Sequence, residues 1–385
     1  MVGAALVLDA VVPLLLSGSL PGLASALHVP LDRVGLLFSG NFLGFVLAVP
    51  TSGVASERYG RRRVVTASIG LLGVSLLALA RAPSLPWAMA AVVVVGAGSG
   101  AVQAVCLELV PEMVPGRPGY GLLLSQALFS IGAVLGPAVL LPVWGLSWRQ
   151  RFLLLSLPVV LLFALAASGA GRRPMADAAP QAFGGVGRRL AVTLRSARVR
   201  RAVIAIALYD GVEVSFWGWL FTAVTRPHGQ GPVWGVIELS TFWAMMGAGR
   251  LAIGRMADRV DLALVIRIEA LAGIPALLIA LLTRDHTLGL AASALGGLCL
   301  SAIWPSIIAH ARAGEAEPTL VAATLMTASG LGGLAIPAAF GFAAAHAGWP
   351  IAAAGLTLLL VPVGWLLVPE RTRAMPPLPE PATAP

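Results

Sequence analysis

Apolar runs of about 20 residues recur along the whole chain, separated by short polar or proline-containing stretches. Only 11% of the residues are charged, whereas a soluble domain averages about 25%. A helical run of this length crosses the hydrocarbon core of a bilayer, where every peptide group needs a partner within the protein. The short alternating segments that form a membrane β-barrel are not seen in the sequence. The pattern therefore predicts an all-α membrane protein.

The hydrophobic runs predict twelve membrane-spanning helices. We place the first six at 4–27, 33–54, 64–80, 85–109, 119–145 and 151–171, and the second six at 202–225, 235–254, 262–283, 288–311, 319–343 and 349–369. The predicted organisation is an N-terminal half at 1–171, an arginine-rich linker at 172–201, a C-terminal half at 202–369 and a disordered, proline-rich tail at 370–385.

Arginines are concentrated in two of the predicted connections. Four follow span 2, at Arg58 and 61–63, and the linker holds eight arginines against one acid, Asp177. Basic residues are enriched in cytoplasmic loops, so both termini and the linker are predicted to be cytoplasmic in a plasma-membrane protein. Membrane orientation also accounts for the net charge of +9, and no nucleic-acid partner is expected.

Several classes of chemistry are excluded by the residues that the chain lacks. All 26 basic residues are arginine, so the lysine of a phosphate-binding P-loop is missing and this chain carries no ATP-driven pump of that type. No HExxH, GxSxG or His/Cys metal spacing occurs, and Cys106 and Cys299 lie in apolar runs. We therefore expect no metal and no cofactor. An intramembrane enzyme or a receptor stays open as a separate class of function.

The loop after span 2 reads "SGVASERYGRRRV", and the matching position after span 8 reads "AIGRMADRVD". These stretches resemble the loop motif of the major facilitator superfamily. The matching positions are Gly53, Glu57, Arg58, Gly60, Arg61 and Arg62 in the first copy, and Gly254, Asp258 and Arg259 in the second. The resemblance implies two pseudo-symmetric six-helix halves. It also implies glycines that allow close helix contact, and a latch in which Glu57 faces the start of span 11.

Span 7 contains "YDGVEVSFWGW", which places two acids deep in an apolar region. At ~1.5 Å per residue, Asp210 lies roughly 12 Å and Glu213 roughly 16 Å into the span. The two residues are three apart and therefore share a helix face. Burying a carboxylate at this depth is costly, so these side chains are expected to face an aqueous path. A structural pair with a polar neighbour such as His310 is the alternative.

The same stretch resembles span 7 of the fucose-permease-like sugar:proton symporters, through Tyr209, Gly211, Glu213 and Trp217; "SAIWPSIIAHA" in span 10 adds Trp304. Nine residues are predicted to bind substrate or carry the coupling proton: Tyr209, Asp210, Glu213, Trp217, Trp304, Asn41, Gln103, Glu108 and Gln126. Ser17 and Gln103 occupy positions where that group has titratable residues. Asp9 and Glu108 are the acids that could replace them.

The resemblance and the residues together predict a monomeric secondary transporter. We expect it to move a small polar, sugar-like solute by alternating access, with proton-coupled uptake. Proton-coupled efflux of drugs or metabolites is the alternative, because "SIGAVLGP" around Gly132 and Pro137 resembles the antiporter motif of span 5. The double glycine that follows this motif and the arginine of antiporter span 4 are missing, which favours uptake.

Overall fold

The structure is a computed structural model that describes residues 1–112, 118–140, 144–168, 186–225, 229, 231–256 and 259–367. Within these ranges the chain is almost entirely helical and no strand is assigned. The predicted tail at 370–385 and the linker residues up to 185 lie outside them.

Fifteen α-helices and one 3₁₀ helix are assigned in the described residues. They are α1 (Val2–Leu27), α2 (Leu31–Tyr59), α3 (Arg61–Ala80), α4 (Leu85–Glu112), α5 (Pro118–Leu135) followed by the 3₁₀ turn Gly136–Leu140, α6 (Trp148–Ser168), α7 (Val186–Thr193), α8 (Ala197–Thr225), α9 (Pro232–Gly254), α10 (Leu262–Leu282), α11 (His286–Cys299), α12 (Ile303–Arg312), α13 (Pro318–His346), α14 (Trp349–Leu358) and α15 (Leu360–Leu366).

The predicted spans map onto these helices in order. Within the described ranges, eleven helical segments are long and apolar enough to cross a membrane, and the predicted fifth span contains a shorter apolar helix at Leu123–Val139. Span 10 is divided into α11 and α12, and span 12 into α14 and α15. Hydropathy could not predict these breaks, because the residues on both sides are apolar.

Helix α8 begins at Ala197, inside the segment predicted as linker. The hydroxyl of Ser196 accepts a hydrogen bond from the backbone N–H of Val199 at 3.5 Å, in the manner of a helix N-cap. Hydropathy marks only the part of a helix that lies in the membrane, whereas the cap marks where the helix starts.

The preceding helix α7 is attached to α13 by an ion pair. Arg189 Nη2 of α7 lies 2.6 Å from Glu317 at the start of α13. The hydrogen bond from Arg189 lowers the pKa of Glu317.

The two halves are built with corresponding close contacts. A Cβ at Gly96 of α4 would overlap the carbonyl oxygen of Asn41 in α2, and a Cβ at Gly297 of α11 would overlap that of Phe242 in α9. Spans 2 and 4 of the first half correspond to spans 8 and 10 of the second. The same backbone-to-backbone approach is therefore repeated at equivalent places, as small-residue helix packing in membranes allows.

A second pair of glycines repeats in the same way. Gly132 of α5 approaches the carbonyl of Val7 in α1, and Gly332 of α13 approaches the carbonyl of Ala207 in α8. The first contact joins spans 5 and 1 of the first half, and the second joins the corresponding spans 11 and 7 of the second half. The predicted pseudo-symmetry is thus visible in individual contacts.

The two halves meet along two pairs of helices: α2 packs on α13 and α5 packs on α9. We call the end of the bundle that carries Arg58, residues 61–63 and α7 the arginine-rich end.

The close approach at Gly96 gives a test of this architecture. We expect Gly96→Val to prevent the α2–α4 contact, because the added side chain overlaps backbone that cannot move aside. The measurement is the yield of monodisperse protein in detergent and its unfolding temperature. Gly355→Val is the matched control, since no heavy atom of the described part of the chain lies within 4 Å of a Cβ at that position. Equal behaviour of the two variants would contradict the packing described.

Candidate functional site

A cavity of about 80 Å³ lies between the two halves. Its walls come from α1, α2, α4 and α5 of the first half and from α8, α9, α12 and α13 of the second, which are corresponding spans. Small-molecule sites usually enclose about 300–1,000 Å³. This conformation therefore holds the site in a contracted form, and the halves must move apart before a solute can enter.

Most of the residues predicted from the sequence meet at this cavity. The lining includes Asn41, Gln103, Gln126, Asp210, Glu213, Trp217 and Trp304. Tyr209 does not line the cavity; it is fully buried and forms a hydrogen bond with Glu213. The side chain of Glu108 lies outside the part of the chain that the structure describes.

Tyr209 and Glu213 lie one turn apart on α8. The phenolic oxygen of Tyr209 is 2.5 Å from Glu213 Oε2 and 2.7 Å from the carbonyl oxygen of Leu300. A phenol has a single O–H and can donate to only one acceptor at a time. If Tyr209 donates to Leu300, its contact with Glu213 requires a proton on that carboxyl group. If Glu213 is ionised, Tyr209 donates to it and the Leu300 carbonyl loses this donor.

The Leu300 carbonyl belongs to the break between α11 and α12, where other side chains bind the freed peptide groups. Arg250 Nε donates to the carbonyl of Ser301 at 3.1 Å. Glu269 accepts from the backbone N–H of Ala302 at 3.0 Å and from the hydroxyl of Ser301 at 2.9 Å. Irregular backbone at membrane depth persists only where protein or cavity water satisfies it. Charged side chains of α9 and α10 therefore stabilise the break.

Asp210 lies beside Trp304 on the cavity wall. The Trp304 indole N–H donates to the Ser329 hydroxyl at 3.1 Å, and Ser329 is also a hydrogen-bonding neighbour of Asp210. Since the Ser329 oxygen accepts from Trp304, its own proton remains available for the Asp210 carboxylate. Asp210 is half-buried and is one of the residues that line the cavity.

Gln103 does not titrate, but it contacts a buried acid of the first half. Its Nε2 donates to Asp9 Oδ2 at 2.9 Å, and Ser99 Oγ lies 3.4 Å away. Asp9 is fully buried, and its Oδ1 has no hydrogen-bond partner in the described residues. The structure thus places Asp9 of α1 against Gln103 and Ser99 of α4. Sequence analysis could name this acid only as a possible replacement.

Arg250 is the charged residue of the cavity lining that the sequence did not predict. It lies four residues before the end of α9, so in the sequence it resembles an arginine that reaches for lipid headgroups. In the fold its side chain is 2% exposed and lines the cavity. Its Nη1 donates to the carbonyl of Gln126 at 3.0 Å and to Ser130 Oγ at 2.8 Å, so it connects α9 to the first half.

An aromatic cluster lies next to this guanidinium. The ring centroid of Trp243 is 6.4 Å from that of Trp217 and 5.8 Å from that of Phe129. The guanidinium carbon of Arg250 lies 5.8 Å from the Trp243 centroid. All four side chains line the cavity. Trp219, two residues beyond Trp217, instead packs against aromatic side chains of α13 and α14.

The side of the cavity away from the arginine-rich end is closed by contacts between the halves. The hydroxyl of Ser17 in α1 donates to the carbonyl of Gly218 in α8 at 2.9 Å. The rings of Phe38 and Trp217 meet edge to face, with centroids 5.9 Å apart. A solute cannot reach the cavity from that side without separating these helices.

The sequence matches the family model of the Major Facilitator Superfamily over residues 3–285. The chain belongs to the Major Facilitator Superfamily. Its apolar helices are those expected of this family of multi-pass membrane proteins. The likeness to the fucose:proton symporter of E. coli covers 95% of this chain and 96% of that one, with a TM-score of 0.69 and 18% identity. A human organic anion transporter gives a TM-score of 0.73 at 18% identity, over 95% and 98% of the two chains. Likenesses at this identity show the fold.

Three curated relatives match over parts of the chain. The niacin transporter NiaP of Acinetobacter baylyi is 28% identical over 34% of this chain and 30% of its own length. The chloramphenicol resistance protein of Streptomyces lividans is 28% identical over 64% of this chain and 62% of its own length. The 3-(3-hydroxyphenyl)propionate transporter of Escherichia coli is 30% identical over 34% and 33%. The chain thus spans less than two thirds of each of these relatives.

The superfamily loop motif is placed only in part. Gly60 joins α2 to α3 with a φ of 85°, which favours glycine. Arg58 lies over the ring of Tyr59, with 5.3 Å to its centroid, and Arg62 donates to the carbonyl of Ala166 at 3.4 Å. Arg61 is half-buried beside them. The side chain of Glu57 lies outside the described residues, so the latch stays a prediction.

The two motif glycines behave differently. A Cβ at Gly254 would lie 3.2 Å from Leu123 and 3.5 Å from Tyr120, so this glycine allows close contact between α9 and α5. Among the described residues, no heavy atom lies within 4 Å of a Cβ at Gly53, so they show no close helix contact at this glycine. In the second copy, Asp258 lies outside the described residues and Arg259 is exposed in the turn before α10.

The helix break gives a stability test. We expect Glu269→Leu to destabilise the protein by about 1–3 kcal/mol, because the backbone N–H of Ala302 loses its acceptor at a buried site. Thermal unfolding in detergent measures the loss. Glu269→Gln retains one acceptor oxygen and should fall between the variant and the parent protein. An unchanged unfolding temperature for Glu269→Leu would show that the break does not depend on this side chain.

Proposed function

We propose that this transporter couples protons to the uptake of small organic anions, with an aromatic carboxylate as the class that fits the cavity best. The observation that carries the proposal is a buried arginine, Arg250, at the centre of the substrate path. The sequence-based prediction of a small polar solute is made more specific in this way. Proton coupling is part of the same proposal and rests on Glu213 and Tyr209.

The contacts of Arg250 leave room for an anionic ligand. Its three hydrogen bonds go to neutral oxygens, those of Ser301, Gln126 and Ser130. Its Nη2 makes no hydrogen bond with any described residue. A buried guanidinium is costly unless it is paired, and guanidinium groups bind carboxylates through parallel N–H donors. A substrate carboxylate at Nη2 supplies the missing partner.

The walls around this arginine suit a flat ring. Trp217, Trp243 and Phe129 lie on one side of the cavity, and Trp304 lines it from α12. Aromatic faces bind planar apolar surfaces well, and Asn41 and Gln103 add hydrogen-bonding groups for ring substituents. Niacin and 3-(3-hydroxyphenyl)propionate, the solutes named for two relatives, are aromatic carboxylates. This similarity supports the proposed class.

Charge competition provides the coupling. Arg250 and Glu213 line the same cavity and interact electrostatically. A substrate carboxylate on Arg250 would compete with the Glu213 carboxylate for one positive charge, so a proton taken up by Glu213 keeps the charge of the site unchanged. Tyr209 then donates to the Leu300 carbonyl instead of to Glu213. Anion and proton are thereby bound together, and the protonation state is transmitted to the α11–α12 break.

A sugar-like solute is the second candidate, because the tryptophan faces together with Asn41, Gln103 and Gln126 also suit a sugar ring. Efflux is the second candidate for direction, supported by the match to the chloramphenicol resistance protein. Both alternatives predict transport that does not depend on a carboxylate in the solute.

Arg250→Gln tests the substrate class. In proteoliposomes with an imposed pH gradient, we expect the parent protein to accumulate nicotinate and 4-hydroxybenzoate. The variant should bind them about 10–100-fold more weakly, because a charge-assisted hydrogen bond to the ligand is lost. Arg255→Gln, an exposed position five residues further on, is the matched control. Nicotinamide competing as well as nicotinate, or uptake of fucose but not of the acids, would contradict the proposal.

Glu213→Gln tests the coupling separately. Because this side chain can no longer change its protonation state, we expect uphill accumulation to be lost while exchange of labelled for unlabelled substrate continues. Counterflow and gradient-driven uptake are measured in the same vesicles. If the variant accumulates substrate normally, the proton is carried elsewhere, and Asp9 becomes the residue to examine.

A further inference from the structure

A second cavity, separate from the substrate path, lies on the outer side of the first half. It is a groove of about 850 Å³ between α2 and α3, with Ala97 and Ala101 of α4 at its floor. None of its lining residues lines the central cavity. Helix α3 packs against α2, α4 and α6 of the first half. The groove therefore faces the bilayer rather than the path between the halves.

Small side chains on the two walls make the groove deep. Ala48, Ser52 and Ala55 line it from α2, and Ala67 and Ser68 from α3. The hydroxyl protons of both serines are used within their own helices, Ser52 to Val49 and Ser68 to Val64, each at 2.8 Å. The walls consequently offer methyl and methylene surface to an occupant. Leu47 and Leu71 stand at the far end and are 58% and 42% exposed.

The length of the groove matches one leaflet. Twelve residues of α2 separate Leu47 from Tyr59, which corresponds to about 18 Å along the helix. The hydrocarbon core of a bilayer is about 30 Å thick, or about 15 Å for each leaflet. A lipid chain that enters from the leaflet at the arginine-rich end can therefore lie along the whole groove.

The end of the groove at headgroup level is positively charged. Arg63 lines it, is exposed and makes no hydrogen bond or ion pair with any described residue. Its neighbours Arg58 and Arg62 are already engaged, with the ring of Tyr59 and with the carbonyl of Ala166. Basic positions at the end of a groove between membrane helices bind anionic headgroups, and Arg63 is the cation available here.

We propose that this groove is a binding site for one phospholipid with an anionic headgroup, whose chain lies between α2 and α3 and whose phosphate contacts Arg63. The apolar walls supply affinity for the chain, and the arginine supplies preference for the headgroup charge. A free phosphate ester lacks the chain and should not bind. Because Gly60 is the single residue between α2 and α3, the lipid would bridge the two helices beside the superfamily loop motif.

The test uses the full-length protein purified in detergent and supplied with phosphatidylglycerol or phosphatidylcholine, with bound lipid counted by native mass spectrometry. We expect the parent protein to retain phosphatidylglycerol at least 5-fold more than phosphatidylcholine. Arg63→Leu should reduce this preference to about 1-fold, and Ala67→Trp should reduce retention of both lipids. Glycerol phosphate at the same concentration should not displace the lipid.

Matched controls lie on the same helix. Arg81→Leu removes an exposed arginine at the opposite end of α3, and Val74→Trp adds the same bulk to an exposed residue outside the groove. Both should retain lipid like the parent protein. If Ala67→Trp does not fold, Thr51→Trp fills the groove from α2. Phosphatidylglycerol retention that is equal in the groove-filling and control variants would overturn the proposal.

Discussion

The buried guanidinium of Arg250 connects the two halves of the chain with the break between α11 and α12. It reaches from α9 to the carbonyl of Gln126 in the first half and to the carbonyl of Ser301 at the α11–α12 break. A cation at 2% exposure is tolerated only when its surroundings supply acceptors or counter-charge. In the proposed mechanism, a ligand or proton that changes this charge balance also changes the contacts between the halves. The proposed substrate site and the contacts between the halves therefore share one interaction.

The break between α11 and α12 extends this connection. Its peptide groups are bound by side chains of three other helices: Tyr209 of α8, Arg250 of α9 and Glu269 of α10. In a continuous helix these N–H and C=O groups would bond to each other, and their hydrogen bonds would not depend on nearby charged side chains. Here the local backbone depends on ionisable side chains, so a proton on Glu213 can alter the hydrogen bonding of the break through Tyr209. The small cavity and the Ser17–Gly218 hydrogen bond describe one state of the proposed alternating-access cycle.

The sequence predicted the fold better than it predicted the chemistry of the site. Hydropathy located the spans because the transfer of apolar side chains into lipid dominates membrane insertion. The acids of α8 were noticed because a carboxylate in such an apolar span is costly. The break at 300–302 gave no such signal, since Leu300 and Ala302 are apolar. Arg250 resembled a headgroup anchor because it lies near the end of its span, and only the packing of α9 against α5 shows that it is buried. The contact between Asp9 and Gln103 joins residues 94 positions apart, beyond the reach of local patterns.

The most direct measurement is the number of protons taken up when substrate binds. Purified transporter in weakly buffered solution is titrated with an aromatic carboxylate while the pH is recorded. We expect uptake of about one proton for each anion bound by the parent protein, and none by Glu213→Gln, because Glu213 and the substrate carboxylate share the charge of Arg250. Binding of the anion to the parent protein without proton uptake would show that the two carboxylates do not share this charge.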